Sequence, residues 1–178
     1  APGSWLQYLT EAVGPSGLVL GYDIEPVRAQ ETGRVRAFVV DVHELTPDRI
    51  QADGWALLTQ DKGQGEAEAD NQAPKAGRTL RFDLVLSDLA PKTTGIVDAD
   101  QARSAELVEL ALALALALLN DKGAFVAKIF HGRGFEPLLK AIRTAFADVK
   151  VVRPEATRAG SREGFIIARK LRKPADTG

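Results

Sequence analysis

Short apolar segments that run into an acidic residue recur along this chain and limit what it can fold into. Leu18–Tyr22 is followed by Asp23, Arg34–Asp41 holds Val35, Ala37, Phe38, Val39 and Val40 before its terminal acid, and Phe82–Ser87 is followed by Asp88. Each has the length and composition of a strand. Ala124–Phe130, Lys150–Arg153 and Gly164–Arg169 read the same way. Between them lie segments of helical character: Trp5–Val13, Pro47–Ala52 behind Thr46 as its cap, Ala102–Leu119 and Phe135–Phe146. Strands alternating with helices predict an α/β sheet with helices on both faces. In such sheets ligands sit beyond the carboxyl ends of the strands. Asp23, Asp41 and Asp88 fall there, as does Lys128 at or just past its strand.

The Leu/Ala alternation in Ala102–Leu119 mimics a strand, but its length and helix-forming composition decide for a helix. Its longest apolar run, Leu110–Leu119, is half of the roughly twenty residues that a membrane span needs. No signal peptide is visible, and a cytoplasmic protein without a membrane partner is expected. Residues 1–178 contain no internal repeat and read as a single domain. Gln60–Arg78 has almost nothing to bury and reads as a mobile surface insertion spanning residues 60–79. The chain lacks cysteine, which excludes disulfides, thiolate metal sites and a thiol nucleophile. Its two histidines are far apart, so no metal centre is expected. It also lacks methionine, even at position 1, so a fragment or processed product is expected.

Five groups of residues carry possible chemistry. Ala1–Trp5 is a small-residue loop entering a helix, where backbone N–H groups can approach a ligand; alternatively it is only a turn. Asp23 is placed for ribose hydroxyls and Asp41 for an adenine amino group, unless both merely end strands. Ser87-Asp88-Leu89-Ala90-Pro91 fixes a carboxylate at the ligand edge of the sheet. Lys128 interrupts the apolar run Phe125–Phe130, which is costly unless the lysine is paired. The competing reading is an edge-strand lysine that snorkels to water. Glu163 stands at the entry to the last strand and by itself reads as a surface acid.

Taken in order, Ala-Pro-Gly-Ser-Trp, Asp23, Asp41, Ser-Asp-Leu-Ala-Pro, Phe-Val-Ala-Lys-Ile-Phe-His-Gly-Arg-Gly-Phe and Ser-Arg-Glu-Gly-Phe-Ile-Ile-Ala resemble the FtsJ (RrmJ) family of ribosomal RNA 2′-O-methyltransferases. The resemblance covers nearly the whole chain outside the insertion. It implies a Rossmann-like methyltransferase fold, with a mostly parallel seven-stranded sheet and one antiparallel strand. It also implies that the family's first strand lies upstream of this chain. The implied cofactor is S-adenosylmethionine: Gly3, Ser4 and Trp5 line its methionine end, Asp23 holds the ribose, Asp41 the adenine, and Asp88 contacts the amino group. Asp88, Lys128 and Glu163 match three members of a Lys-Asp-Lys-Glu tetrad whose first lysine also lies upstream.

The chemistry suits these residue types. A ribose hydroxyl is a poor nucleophile until its proton is removed, and a lysine held away from water beside another cation can take that proton. Lys128 is the candidate base. Between Lys140 and Gly178, Lys/Arg at 140, 143, 150, 153, 158, 162, 169, 170, 172 and 173 outnumber Asp/Glu at 148, 155, 163 and 176. Arg158 and Arg162 are therefore candidate contacts to an RNA backbone. The expected partner is ribosomal RNA or a ribosomal subunit, with transfer RNA or a messenger RNA cap as alternatives, and the expected state is a monomer. Two other functions compete. One is a non-catalytic cofactor- or RNA-binding module. The other is an NAD-dependent oxidoreductase, which the opening loop disfavours because it lacks Gly-x-Gly-x-x-Gly.

Overall fold

The computed structural model describes residues 3–28, 33–60, 78–92, 94–132, 134–153 and 163–172. The insertion at 61–77 lies outside them, as do Arg158 and Arg162. The chain divides into two units, Ala1–Leu80 and Arg81–Gly178.

In the first unit, helix α1 (Ser4–Val13) leads into strands β1 (Val19–Asp23) and β2 (Val35–Val39), followed by helix α2 (Pro47–Gln60). The two strands pair in parallel, with Val19 opposite Val35 and Asp23 opposite Val39. Alternation sends Val19 and Val35 to one face, where they form a small core with Leu6 of α1. α2 packs on the other face, through Gly54 against Leu18, Leu20 and Leu80. The sequence predicts that this helix stops at Ala52, before Gly54. It runs to Gln60, because Gly54 lies on the buried stripe Ile50–Gly54–Leu57. A Cβ at Gly54 would sit 2.6 Å from Leu80 Cδ1, so here glycine serves close packing rather than a break. Thr46 caps α2 as expected, its hydroxyl accepting the Arg49 N–H at 3.2 Å.

The second unit holds β3 (Phe82–Ser87), α3 (Val97–Leu118), β4 (Leu119–Phe130), α4 (Phe135–Ala145), β5 (Phe146–Val152) and β6 (Glu163–Leu171). The strand order is β3-β4-β6-β5. β3 and β4 are parallel, and β6 runs antiparallel to both of its neighbours, so it is the one reversed strand here. Asn120-Asp121-Lys122-Gly123, which reads in the sequence as the stop of the preceding helix, lies inside β4. Pairing jumps from Phe82–Leu119 to Leu84–Ala124, and the Asn120 side chain accepts the Lys122 N–H at 2.9 Å. The result is a bulge at the start of the strand.

α3 and α4 pack on one sheet face. Phe125, Ala127, Ile129, Ile166 and Ala168 point toward them, fully buried, and meet Val108, Ala115, Leu138 and Ile142. On α3 the buried positions Ser104, Val108, Ala111, Ala115 and Leu118 follow helical spacing, which resolves the Leu/Ala ambiguity. Phe125 stacks on Phe146 with ring centroids 6.3 Å apart. Burying a side chain of this size contributes about 1.5–3 kcal/mol. The strand beside β3 is therefore anchored by its own alternate residues.

Candidate active site

Parallel pairing sets Ser87 opposite Ala127, so the next residues, Asp88 and Lys128, leave the ladder side by side. Since Ala127 and Ile129 face the helix core, Lys128 projects from the opposite face. Its Nζ lies 2.6 Å from Asp88 Oδ1 and donates to the Asp88 backbone carbonyl at 3.1 Å. The lysine side chain is 16% exposed and the aspartate 42%, so the pair is partly withdrawn from solvent screening. β4 has neighbours on both sides, so Lys128 is not an edge-strand lysine.

Glu163 opens β6 opposite Phe130, while Phe165 stands opposite Lys128. Glu163 is thus the diagonal cross-strand neighbour of Lys128 on the same sheet face, and such neighbours lie roughly 7–8 Å apart at Cα. It is exposed. The second unit therefore brings positions 88, 128 and 163 to one edge and one face of its sheet.

In the first unit, Asp23 and Asp41 emerge from the same end of the β1–β2 ladder. Asp23 ends β1, and its Oδ1 accepts the Glu25 N–H at 2.9 Å. β2 ends at Val39 rather than at Asp41, which instead caps the short 3-10 turn Val42–Glu44. Asp41 Oδ1 accepts the His43 backbone N–H at 2.9 Å and lies 2.6 Å from the His43 ring Nδ1. The backbone N–H first, and then the imidazole, hold the Asp41 carboxyl below its usual range. Gly3 caps α1 at φ 78°, with no side-chain cap bond to the helix. Trp5 is 39% exposed and meets Tyr8 edge-on at 6.3 Å.

The donor chemistry of this unit suits S-adenosylmethionine. Carboxylates at adjacent strand ends accept hydroxyl and amino hydrogens, and each is already oriented through one oxygen by its own backbone. Behind them, the Tyr22 hydroxyl donates to Asp53 Oδ2 at 3.1 Å, and Arg49 Nε reaches both Asp53 oxygens at 2.9 and 3.0 Å. Burial, and then Asp53, push the Tyr22 phenol far above its ordinary value, so it remains a donor. Among the described residues, no group of three His, Cys, Asp or Glu is placed to hold a metal.

The family model described as FtsJ-like methyltransferase matches residues 1–171. The chain belongs to the FtsJ-like methyltransferase family. Proteins named ribosomal RNA large subunit methyltransferase E are similar to it. The one from Myxococcus xanthus is 42% identical over 98% of this chain and 71% of its own length. The one from Syntrophobacter fumaroxidans is 40% identical over 97% of this chain and 76% of its own. A Plasmodium falciparum crystal structure described as a ribosomal RNA methyltransferase superposes with a TM-score of 0.69 at 18% identity, over 96% of this chain and 81% of that one. At that identity the likeness shows the fold, which is that of a Rossmann-like methyltransferase. Family membership sets the oxidoreductase reading aside.

Sequence reasoning missed the polar side chains on the buried stripe of this FtsJ-like chain's α3: Asp100, Gln101 and Ser104, exposed by 8%, 5% and 2%. Their signal is present in the sequence. Gln101 and Ser104 continue, at helical spacing, the stripe that then reads Val108, Ala111 and Ala115. His131 was also passed over; its ring lies 4.4 Å from that of Phe135.

Proposed function

We propose that this chain transfers a methyl group from S-adenosylmethionine to a ribose 2′-hydroxyl of ribosomal RNA, with Lys128 taking the hydroxyl proton. The observation that carries the reading is the Lys128–Asp88 pair, 2.6 Å apart at the carboxyl edge of the sheet. The ribosomal RNA named for the relatives at about 40% identity supports the substrate. The reading takes residues 1–178 as one methyltransferase domain, acting as a monomer in the cytoplasm. Among the described residues no helix is long and apolar enough to cross a membrane.

When bound, S-adenosylmethionine supplies a methyl group activated by its sulfonium. Asp23 accepts hydrogens from the cofactor ribose, Asp41 accepts from the adenine amino group, and the backbone from Gly3 to Trp5 lines the methionine end. Lys128 handles the proton. Two of its hydrogens are directed at the Asp88 carboxylate and carbonyl. With those two bonds made by the amine form, the lone pair would point in the remaining direction. As the ribose O–H bond breaks, a new N–H bond would form at Nζ; the oxygen would take the methyl carbon as its bond to sulfur breaks, that electron pair leaving with the neutral thioether product. The ammonium that results is neutralised by Asp88. Glu163, on the same face, fixes the geometry of lysine and ribose. General-base assistance of this kind is worth about 10²–10⁴ in rate.

The test is methyl-labelled cofactor with ribosomal RNA and with large ribosomal subunits, followed by alkaline hydrolysis. A 2′-O-methyl group blocks cleavage of its own phosphodiester, so the label should appear in alkali-stable dinucleotides. Label on the bases would overturn the 2′-hydroxyl assignment. Cofactor binding with no transfer would favour the non-catalytic module.

A further inference from the structure

The first turns of α3 are tied to the end of the strand that carries Lys128 and to the residues just ahead of the helix. Asp100 accepts the Thr94 N–H at 2.9 and 3.1 Å, the Thr94 hydroxyl at 2.8 Å and the Gly95 N–H at 3.3 Å. These bonds, the Thr94 N–H first, hold its carboxyl below the usual range. They fasten Thr94 and Gly95, just ahead of the helix. One position later, Gln101 Nε2 donates to the His131 carbonyl at 3.2 Å. One turn further on, Ser104 Oγ accepts the Phe130 N–H at 3.2 Å. Phe130 and His131 are the second and third residues after Lys128.

The end of β4 is paired with β6 as far as Phe130, opposite Glu163. It enters a loop with glycines at 132 and 134, both at positive φ. Gly132 lies flush on α3, where a Cβ would fall 1.9–2.3 Å from the Gln101 amide. The His131 ring, in turn, reaches β6: its Nε2 is 2.8 Å from where a Cβ on Gly164 would sit, and Gly164 follows Glu163.

We propose that Gln101 and Ser104 are positioning residues for methyl transfer. They bind the end of β4 to α3 and so hold Lys128 at Asp88. The inference rests on the reading of Lys128 and Asp88 as the proton-handling pair. Neither side chain touches the reacting atoms; each acts through the backbone of β4. A buried amide and hydroxyl spent on backbone groups at a strand end fix that end's direction. Displacement of a reacting group by about 1 Å can cost on the order of 100-fold in rate.

The test compares Ser104→Ala, Ser104→Thr, Gln101→Glu and the double variant Gln101→Glu/Ser104→Ala in the full chain, with ribosomal RNA as substrate. Gln101→Glu keeps the shape but replaces the donor with an acceptor facing a carbonyl. We expect the double variant to lose about 10- to 100-fold in kcat, with KM for cofactor and for RNA within about twofold. Ser104→Thr, which keeps the accepting hydroxyl, should recover most of the kcat that Ser104→Ala loses. Amide exchange at Phe130 should quicken in Ser104→Ala and not in Ser104→Thr. Unchanged kcat in folded variants, or Ser104→Thr no better than Ser104→Ala, overturns the proposal. If the double variant does not fold, Ser104→Ala against Ser104→Thr decides by the same split. Lys128→Ala, run in parallel, separates the two claims. Activity retained there removes the pair itself, whereas an inactive Lys128→Ala beside fully active α3 variants removes only the positioning role.

Discussion

The two units hold their functional groups by different means. In the first, Asp23 and Asp41 are each oriented by a backbone N–H only two residues away. In the second, Lys128 reaches Asp88 across 40 positions, and its strand end is fastened by bonds spanning 26 and 30. The carboxylates assigned to the cofactor are local constructions of turn chemistry. The pair assigned to the proton exists only when β3, β4 and α3 are packed. Binding groups of the first kind tolerate change in the surrounding core; a proton-transfer pair of the second kind does not, because angstrom-scale shifts decide its rate.

The largest effect should come from the core beneath Lys128. Phe125 is fully buried, and Phe125→Ala should cost about 3–5 kcal/mol of stability, read by urea unfolding. A cost under about 1 kcal/mol would break the contrast, because the strand that carries Lys128 would then not depend on its core. Next in size is Asp41→Ala. Losing a charged acceptor should weaken cofactor binding by roughly 10-fold or more. Turnover at saturating cofactor should stay near the wild-type value. Calorimetry and kcat measured on the same preparation check both halves.

A smaller effect is expected at His131. Burial first, and then Arg153, hold its imidazole below the ordinary value of 6.5, with Glu136 opposing. The unfolded chain therefore takes up a proton that the folded chain resists, so stability falls as pH drops through about 6.5 and below. His131→Gln should flatten that part of the melting temperature–pH curve between about pH 7.5 and 5.5. An unchanged curve would mean that the ring is solvated. The smallest effect belongs to Arg49→Ala, which removes a half-exposed ion pair to Asp53 four residues on. It should cost about 0.3–0.5 kcal/mol and leave cofactor affinity within about twofold.

Much of the fold is legible in the sequence, because Phe82–Ser87 and Ala124–Phe130 read as strands and Phe135–Phe146 as a helix, while length and composition decide Ala102–Leu119. Boundaries are less so. Gly54 reads as a stop when tertiary packing makes it a contact, and Asn120–Gly123 reads as the stop of a helix when it is a bulge within a strand. The candidate site is legible residue by residue at 88 and 128, because an acid after a strand and a lysine within one are locally anomalous. Their supports are not, because a glutamine or serine on a helix stripe shows its partner only once the fold places a strand end opposite it.

Lys128→Ala bears most directly on the central claim, measured as single-turnover methyl transfer to ribosomal RNA with cofactor affinity taken from the same sample. The account predicts a rate lower by about 10²–10⁴-fold, with the dissociation constant for S-adenosylmethionine within about twofold of wild type. Transfer at the wild-type rate would contradict it.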